Sequence, residues 1–210
     1  MDIYDLLGKI DHTEDEDKVS YSAGVILAMS LKDMGFEDLK YDDFTEGMKT
    51  VFNNEMGKIS PKKSIDIFNN YVLLLRGEML QKNAEEGQKF LEKNRENPKI
   101  TELESGLQYE ILVEGNGAVP NITDEVEVEY EGYLLDKQVF DSTKDVGAQV
   151  FRISEMIEGW KEVLTKMQEG SRWKVYIPSY LAYGENGAPP MIQPNATLVF
   201  VIELNKIIKN

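Results

Sequence analysis

Residues 151–187 read FRISEMIEGWKEVLTKMQEGSRWKVYIPSYLAYGENG, and the spacing of apolar residues changes within them. Trp160, Val163, Leu164 and Met167 follow the i, i+3, i+4, i+7 rule of one helix face, which predicts a short helix over about Gly159 to Met167. Trp173, Val175 and Ile177 then alternate with polar residues, the period of a strand. One short helix set among strands predicts a sheet wrapped on that helix, an α+β arrangement. Trp160 opens its helix directly after a glycine, at a terminus rather than in mid-core. Tyr183 falls in the loop beyond the strand, where packing alone does not require an aromatic side chain.

The period of two recurs on both sides of this segment. Leu107, Tyr109, Ile111 and Val113 alternate, and so do Val126, Val128 and Tyr130. Residues 197–208, TLVFVIELNKII, are apolar on both faces and so predict a central strand. About five strands are expected in all. Between the last two strands lies LAYGENGAPPMIQPNA, residues 181–196. Its prolines and glycines fix the backbone rather than loosen it, yet it carries Met191 and Ile192.

Upstream of residue 98 every periodic stretch is helical. Residues 11–17, DHTEDED, form an acidic run that lacks the spacing and central glycine of a calcium loop, so a solvated tail or helix start is expected. Residues 19–31, VSYSAGVILAMSL, carry Val19, Ala23, Val25, Ile26, Leu27, Met29 and Leu31 on several faces. Such a helix needs more partners than one short neighbour supplies. A second helix is expected over about Asp42 to Asn53, with Phe44, Met48, Val51 and Phe52 on one face. Ser60-Pro61 is an N-cap followed by proline at the first helical position. From there Ile65, Phe68, Val72, Leu75 and Met79 step by three and four, and the pattern thins to Ala84, Gly87, Phe90 and Leu91 among charges. About 34 residues at about 1.5 Å each make a rod of roughly 50 Å, greasy in its first half and mostly wet in its second. The expected organisation is a helical region over residues 1–60, a connecting arm helix over 61–97 and a β-rich domain over 98–210.

The net charge of −15 argues against nucleic acid and anionic membranes as partners, since both are held by Lys and Arg. No run approaches the length of a transmembrane helix. The chain has no cysteine and a single histidine, His12, which removes thiol nucleophiles and Ser-His or Cys-His pairs elsewhere. No metal ligand set and no cofactor fingerprint is present. Gly115-Asn116-Gly117 is a turn without the helix that a phosphate loop needs. Glu127, Glu129 and Glu131 alternate along a strand and read as its solvent face. The start, MDIYDLLGKIDHTEDED, is not a signal peptide, so a cytoplasmic location is expected, with the periplasm or envelope as the alternative had an export signal been removed. Tyr130, Phe140, Phe151, Trp160, Tyr183 and Phe200 are left as core or pocket by spacing alone.

Three blocks of sequence decide between these. EYEGYLLDKQVFDSTKD, then FRISEMIEGWKEVLTKMQEGSRWKVYIPSYLAYGENG, then PNATLVFVIEL closely resemble the FKBP-type peptidyl-prolyl cis–trans isomerases, over about Leu107 to Asn210. VSYSAGVILAMSL, the long arm and EEGQKFLEKNRENPKITELESGLQYEILVEG resemble the helical N-terminal region of the Mip-like branch, which dimerises the protein. The resemblance implies an FKBP-type antiparallel sheet on one short helix, preceded by an all-helical dimerisation domain. It implies that Trp160 forms the floor under a substrate proline ring and that Tyr130, Phe140, Phe151 and Phe200 form the walls. Met156 and Ile157 would come from the turn before Trp160, with the Ile157 N–H and the Tyr183 hydroxyl as donors to substrate carbonyls. Asp141 would lie beside the twisting imide, and Met191 and Ile192 would line the lip. The implied partners are a second copy of the chain, proline-containing unfolded or nascent polypeptides and macrolide inhibitors. Gln149, where single-domain relatives carry another aromatic, and Met191 predict weaker macrolide binding. The competing expectation is a non-catalytic chaperone that uses the same pocket and arms to hold unfolded chains.

Overall fold

The computed structural model describes residues 16–208; His12 and the acidic stretch of residues 11–15 lie outside the described residues. The chain divides into two compact units between Leu75 and Arg76. The first unit holds α1 (Glu16–Asp33), α2 (Tyr41–Phe52) and the beginning of α3 (Pro61–Asn94). Glu16 and Asp17 sit in the first turn of α1 and Lys32 in its last, the charge order the helix dipole favours. Gly35 ends α1 with φ of 94°, and the Phe36 N–H reaches back to the Leu31 carbonyl at 3.1 Å, closing the turn as only a left-handed residue allows. Phe36 then lies against α3, with its ring 5.8 Å from Phe68 and 5.2 Å from Tyr71. Ser60 Oγ accepts from the Lys63 N–H at 3.4 Å, so the expected cap starts α3 at Pro61. No described residue up to Leu75 is buried, and Ile26, Met29, Val51 and Phe52 are 64, 62, 73 and 83% exposed.

The second unit is the sheet and its helix. Seven antiparallel strands comprise β1 (Thr101–Glu102), β2 (Gln108–Val113), β3 (Glu125–Tyr133), β4 (Val139–Ser142), β5 (Gln149–Arg152), β6 (Arg172–Ile177) and β7 (Leu198–Ile208). Their order is β1-β2-β6-β7-β3-β4, with β5 also paired to β3. β7 is the long central strand, as its two-sided apolar pattern requires. The sheet exceeds the expected strand number because β1, β4 and β5 have only two, four and four residues, too short for alternation to show. β4 and β5 share one edge of β3, with Glu131–Tyr133 paired to β4 and Glu125–Val128 to β5. The helix α4 (Glu158–Leu164) buries Trp160, Val163 and Leu164 against the concave face together with Val126, Val175, Leu198, Ile202 and Leu204. Gly159 lets α4 approach β6, since a Cβ there would come within 2.9 Å of Ile177 Cδ1.

The second half of α3 is mostly exposed, as expected, but one side of it is docked. Residues 76–94 belong to the second unit, and Gly87 is the buried residue of the helix. Phe90 rests 5.7 Å from the Tyr176 ring. Gln108, fully buried, donates to the Leu91 carbonyl at 2.9 Å and accepts from Asn94 Nδ2 at 2.9 Å. Arg95 holds Glu102 through two N–H donors at 2.7 and 2.9 Å, and this pairing lowers the Glu102 carboxyl below its ordinary value. These contacts use glycine, asparagine and glutamine, so no apolar stripe announces them in the sequence.

Candidate active site

The site is assembled from the head of α4 and the two strands nearest it. Ile157, with extended backbone, precedes α4 and accepts at its carbonyl from the Trp160 and Lys161 N–H groups. That turn fixes Trp160 at the helix entrance. Three rings stand edge-on around its indole: Tyr130 at 5.1 Å and 89°, Phe200 at 5.3 Å and 86°, and Phe151 at 6.2 Å and 83°. Phe140 continues the wall, 5.5 Å from Phe200 and perpendicular to it. Edge-to-face packing of this kind is the favoured aromatic geometry. It also gathers these rings around the indole, where the proline slot is expected. Trp160 and Phe200 are buried, whereas Tyr130, Phe140, Phe151, Met156 and Ile157 are half-buried against the same core. The expected slot therefore falls where the core reaches the surface.

Polar groups stand at its rim. The Tyr130 hydroxyl donates to Asp141 Oδ2 at 2.6 Å. Burial, and then that hydrogen bond to a carboxylate, push the Tyr130 phenol well above its ordinary value, so it stays protonated and donating. The backbone of Tyr130 is held by buried Thr143, whose Oγ accepts from the Tyr130 N–H at 2.9 Å and whose N–H donates to the Tyr130 carbonyl at 2.9 Å. Tyr183 is 40% exposed. Neither the Ile157 N–H nor the Tyr183 hydroxyl has a hydrogen-bond partner among the described residues.

The fold thus gathers Tyr130, Phe140, Asp141, Phe151, Met156, Ile157 and Trp160 with Phe200, and it places Tyr183 in the adjoining loop. Of the two residues expected at the lip, Ile192 is the deeper. It is 5% exposed and belongs to the core, while Met191 beside it points outward at 39%. Gln149 turns its amide back on the Gly147 and Ala148 carbonyls. Two residues that shape the slot lie inside the block EYEGYLLDKQVFDSTKD, where neither period nor side-chain type marks their role. Thr143 is one. Gly132 is the other, because a Cβ there would lie 2.7 Å from both Phe140 Cζ and Phe200 Cε1. Among the described residues no group of three or more His, Asp or Glu is arranged to hold a metal ion.

An antiparallel sheet folded over one short helix, with a tryptophan at the helix head ringed by aromatic side chains, is the architecture of an FKBP-type isomerase domain. The family model described as "FKBP-type peptidyl-prolyl cis-trans isomerase" matches residues 117–205, and that described as "Domain amino terminal to FKBP-type peptidyl-prolyl isomerase" matches residues 16–111. The chain is 38% identical over 205 residues to "Outer membrane protein MIP" of Legionella longbeachae, covering 94% of this chain and 88% of the relative. It is 35% identical to "Peptidyl-prolyl cis-trans isomerase Mip" of Coxiella burnetii, covering 97% of this chain and 94% of that one. The crystal structure of FkpA from Escherichia coli superposes with a TM-score of 0.69 at 28% identity, covering 95% of this chain and 99% of FkpA. This chain belongs to the FKBP-type peptidyl-prolyl cis–trans isomerases, in the Mip-like branch.

Proposed function

We propose that the aromatic slot over Trp160 is where the chain isomerises X–Pro bonds, and that it acts as a homodimer on unfolded or nascent polypeptides. The observation that carries the site is the set of three rings standing edge-on to the Trp160 indole where the core reaches the surface. Rotation about a peptide bond is opposed by resonance, a barrier of about 18–20 kcal/mol, and X–Pro bonds turn over in tens to hundreds of seconds unaided. No bond is made or broken, so the task is to stabilise the twisted imide more than the planar one. Twisting removes resonance and with it part of the charge separation. An apolar slot therefore favours the twisted form relative to water. The proline ring would lie on Trp160 between Tyr130, Phe151 and Phe200. The Ile157 N–H and the Tyr183 hydroxyl would hold the flanking carbonyls. Asp141, fixed by the Tyr130 hydroxyl, would face the imide as it rotates.

The three-part organisation expected from sequence (helical region to residue 60, arm to 97, isomerase domain to 210) fits two pairing segments that each carry one catalytic domain. The unburied apolar faces of α1 and α2 support pairing of two copies, and the two slots would face a shared cleft in a V-shaped dimer. The cytoplasmic expectation finds no support among the relatives. The name of the Legionella longbeachae protein supports the envelope alternative instead.

A prolyl-peptide isomerisation assay in excess chelator tests the reading. Full activity is expected with chelator. Asp141→Ala should lower turnover about tenfold, which is about 1.4 kcal/mol of barrier, with the circular dichroism spectrum unchanged. Activity lost on chelation, or an Asp141→Ala variant as active as the wild type, would overturn it.

A further inference from the structure

The loop of residues 183–197 runs from Tyr183 to the start of β7, and its own backbone hydrogen bonds brace it at the base and in the middle, including the Gly187 N–H to the Tyr183 carbonyl at 3.2 Å. The Asn195 N–H donates to the Gly184 carbonyl at 2.8 Å, and Ala188 and Ile192 exchange two backbone hydrogen bonds at 2.8 and 3.0 Å. Ile192 anchors it in the core, while Glu185, Asn186, Pro189, Pro190 and Met191 are exposed. What holds the rest is α3. Asn83 Nδ2 donates to the Pro194 carbonyl at 2.7 Å. In return Asn195 Nδ2 donates to the Leu80 carbonyl at 3.2 Å. Asn195 can do so because it sits in the left-handed region, with φ of 56°, which turns its side chain toward the helix. Arg76 caps the other end, with its guanidinium 3.3 Å from the Glu185 carbonyl and 3.4 Å from Asn186 Oδ1. Buried Gly87 lets the helix lie close, since any Cβ there would collide with the Thr197 hydroxyl.

The helix therefore grips the loop at both ends, and apart from the Arg76–Asn186 contact its grips are side chain to backbone. Such bonds fix where a backbone runs without adding to a core. The loop they fix presents Tyr183. We propose that the second half of α3 is part of the isomerase site, with Asn83 and Asn195 as positioning residues that hold the Tyr183 loop over the slot. This rests on the reading of that slot as the substrate site. On this account the arm sets turnover even on substrates too short to reach a second subunit, and its role is not confined to spacing two domains.

The test uses the full chain and a short prolyl peptide. Asn83→Ala and Asn83→Asp both remove the donor, the second without changing shape. Asn195→Gly keeps the left-handed backbone and removes the reciprocal donor, so the question stays open to measurement if an Asn83 variant fails to fold. Each is expected to lower kcat/KM about five- to tenfold, chiefly through kcat, and to speed amide hydrogen exchange in residues 184–196. In the Tyr183→Phe background the same substitutions should cost less than twofold, because the group they position is already gone. If Tyr183→Phe itself changes nothing, the site reading fails. If Tyr183→Phe lowers turnover but the asparagine variants retain wild-type kcat, or cost as much in the Tyr183→Phe background as in the wild type, the positioning role is overturned.

Discussion

Trp160 carries two demands at once. It fills the core as one of the largest buried side chains, and its ring is the surface on which three other aromatics converge. Trp160→Ala should therefore cost stability, about 3–5 kcal/mol for loss of a buried aromatic, and should lower peptide turnover at least tenfold per folded molecule. Tyr183→Phe removes one hydroxyl and keeps the ring, so its loss should be smaller, with stability unchanged. A prolyl-peptide assay corrected for folded fraction checks the order of the two. Tyr130 offers a separate measurement. Its phenol is raised in the folded state by burial and by Asp141, so folding favours the protonated form. That contribution is complete below the unfolded tyrosine pKa of about 10 and is lost as pH rises beyond it. Turnover should show no step from Tyr130 between about pH 6 and 9. Unfolding free energy should fall with pH above about 10, and Tyr130→Phe should make that fall shallower in urea titrations. An identical slope in the two proteins would contradict the assignment.

At the scale of elements, the strands and helices that bury a continuous face were legible. α4 and the strands β2, β3, β6 and β7 follow their periods, and the Ser60-Pro61 cap marks the start of α3. Tyr130, Phe140, Phe151, Trp160 and Phe200 could be gathered in advance only through motif resemblance, because periodicity assigns aromatic residues to a core equally well. Three things stayed hidden for physical reasons. The short strands β4 and β5 owe their existence to pairing with β3, not to their own pattern. The docking of residues 76–94 of α3 uses Asn83, Gly87 and Asn94, which look like a solvated face when read alone. Gly132 gives no sequence signal, because its role is the absence of a side chain between Phe140 and Phe200. Gly132→Ala should force those rings apart, destabilise the domain by about 1–3 kcal/mol as overpacking does, and weaken binding of prolyl peptides. Thermal unfolding and peptide titration check both effects, and a variant with wild-type Tm would show that the wall yields without strain.

At the scale of the molecule, the two units differ in kind. The second has a core of fully buried aliphatic and aromatic side chains. Among the described residues of the first none is buried, and a cleft of about 1050 Å³ lined by Val51, Met56, Ile59 and Ile65 among others opens between α2 and the start of α3. A helical segment this small buries too little of its own surface to be robust alone. Val25, Ile26, Leu27 and Met29 of α1 are 40, 64, 47 and 62% exposed, so burying each fully would add roughly half of the ~1.5–3 kcal/mol that a fully exposed side chain gains. Twofold pairing satisfies those faces with a single self-complementary surface. It would also set two slots on one client chain, so that the second contact gains from a high effective concentration. The full chain should therefore sediment as a dimer. The double substitution Ile26→Asp with Met29→Asp, which lies in the first unit and changes no residue of the slot, should yield monomers and should keep turnover on short prolyl peptides. On an unfolded protein whose refolding is limited by proline isomerisation, the monomer should lose activity severalfold per slot, since only long clients can use two sites. A wild-type chain that sediments as a monomer removes the pairing. A monomeric variant that refolds the protein as well per slot as the dimer removes the advantage argued for it.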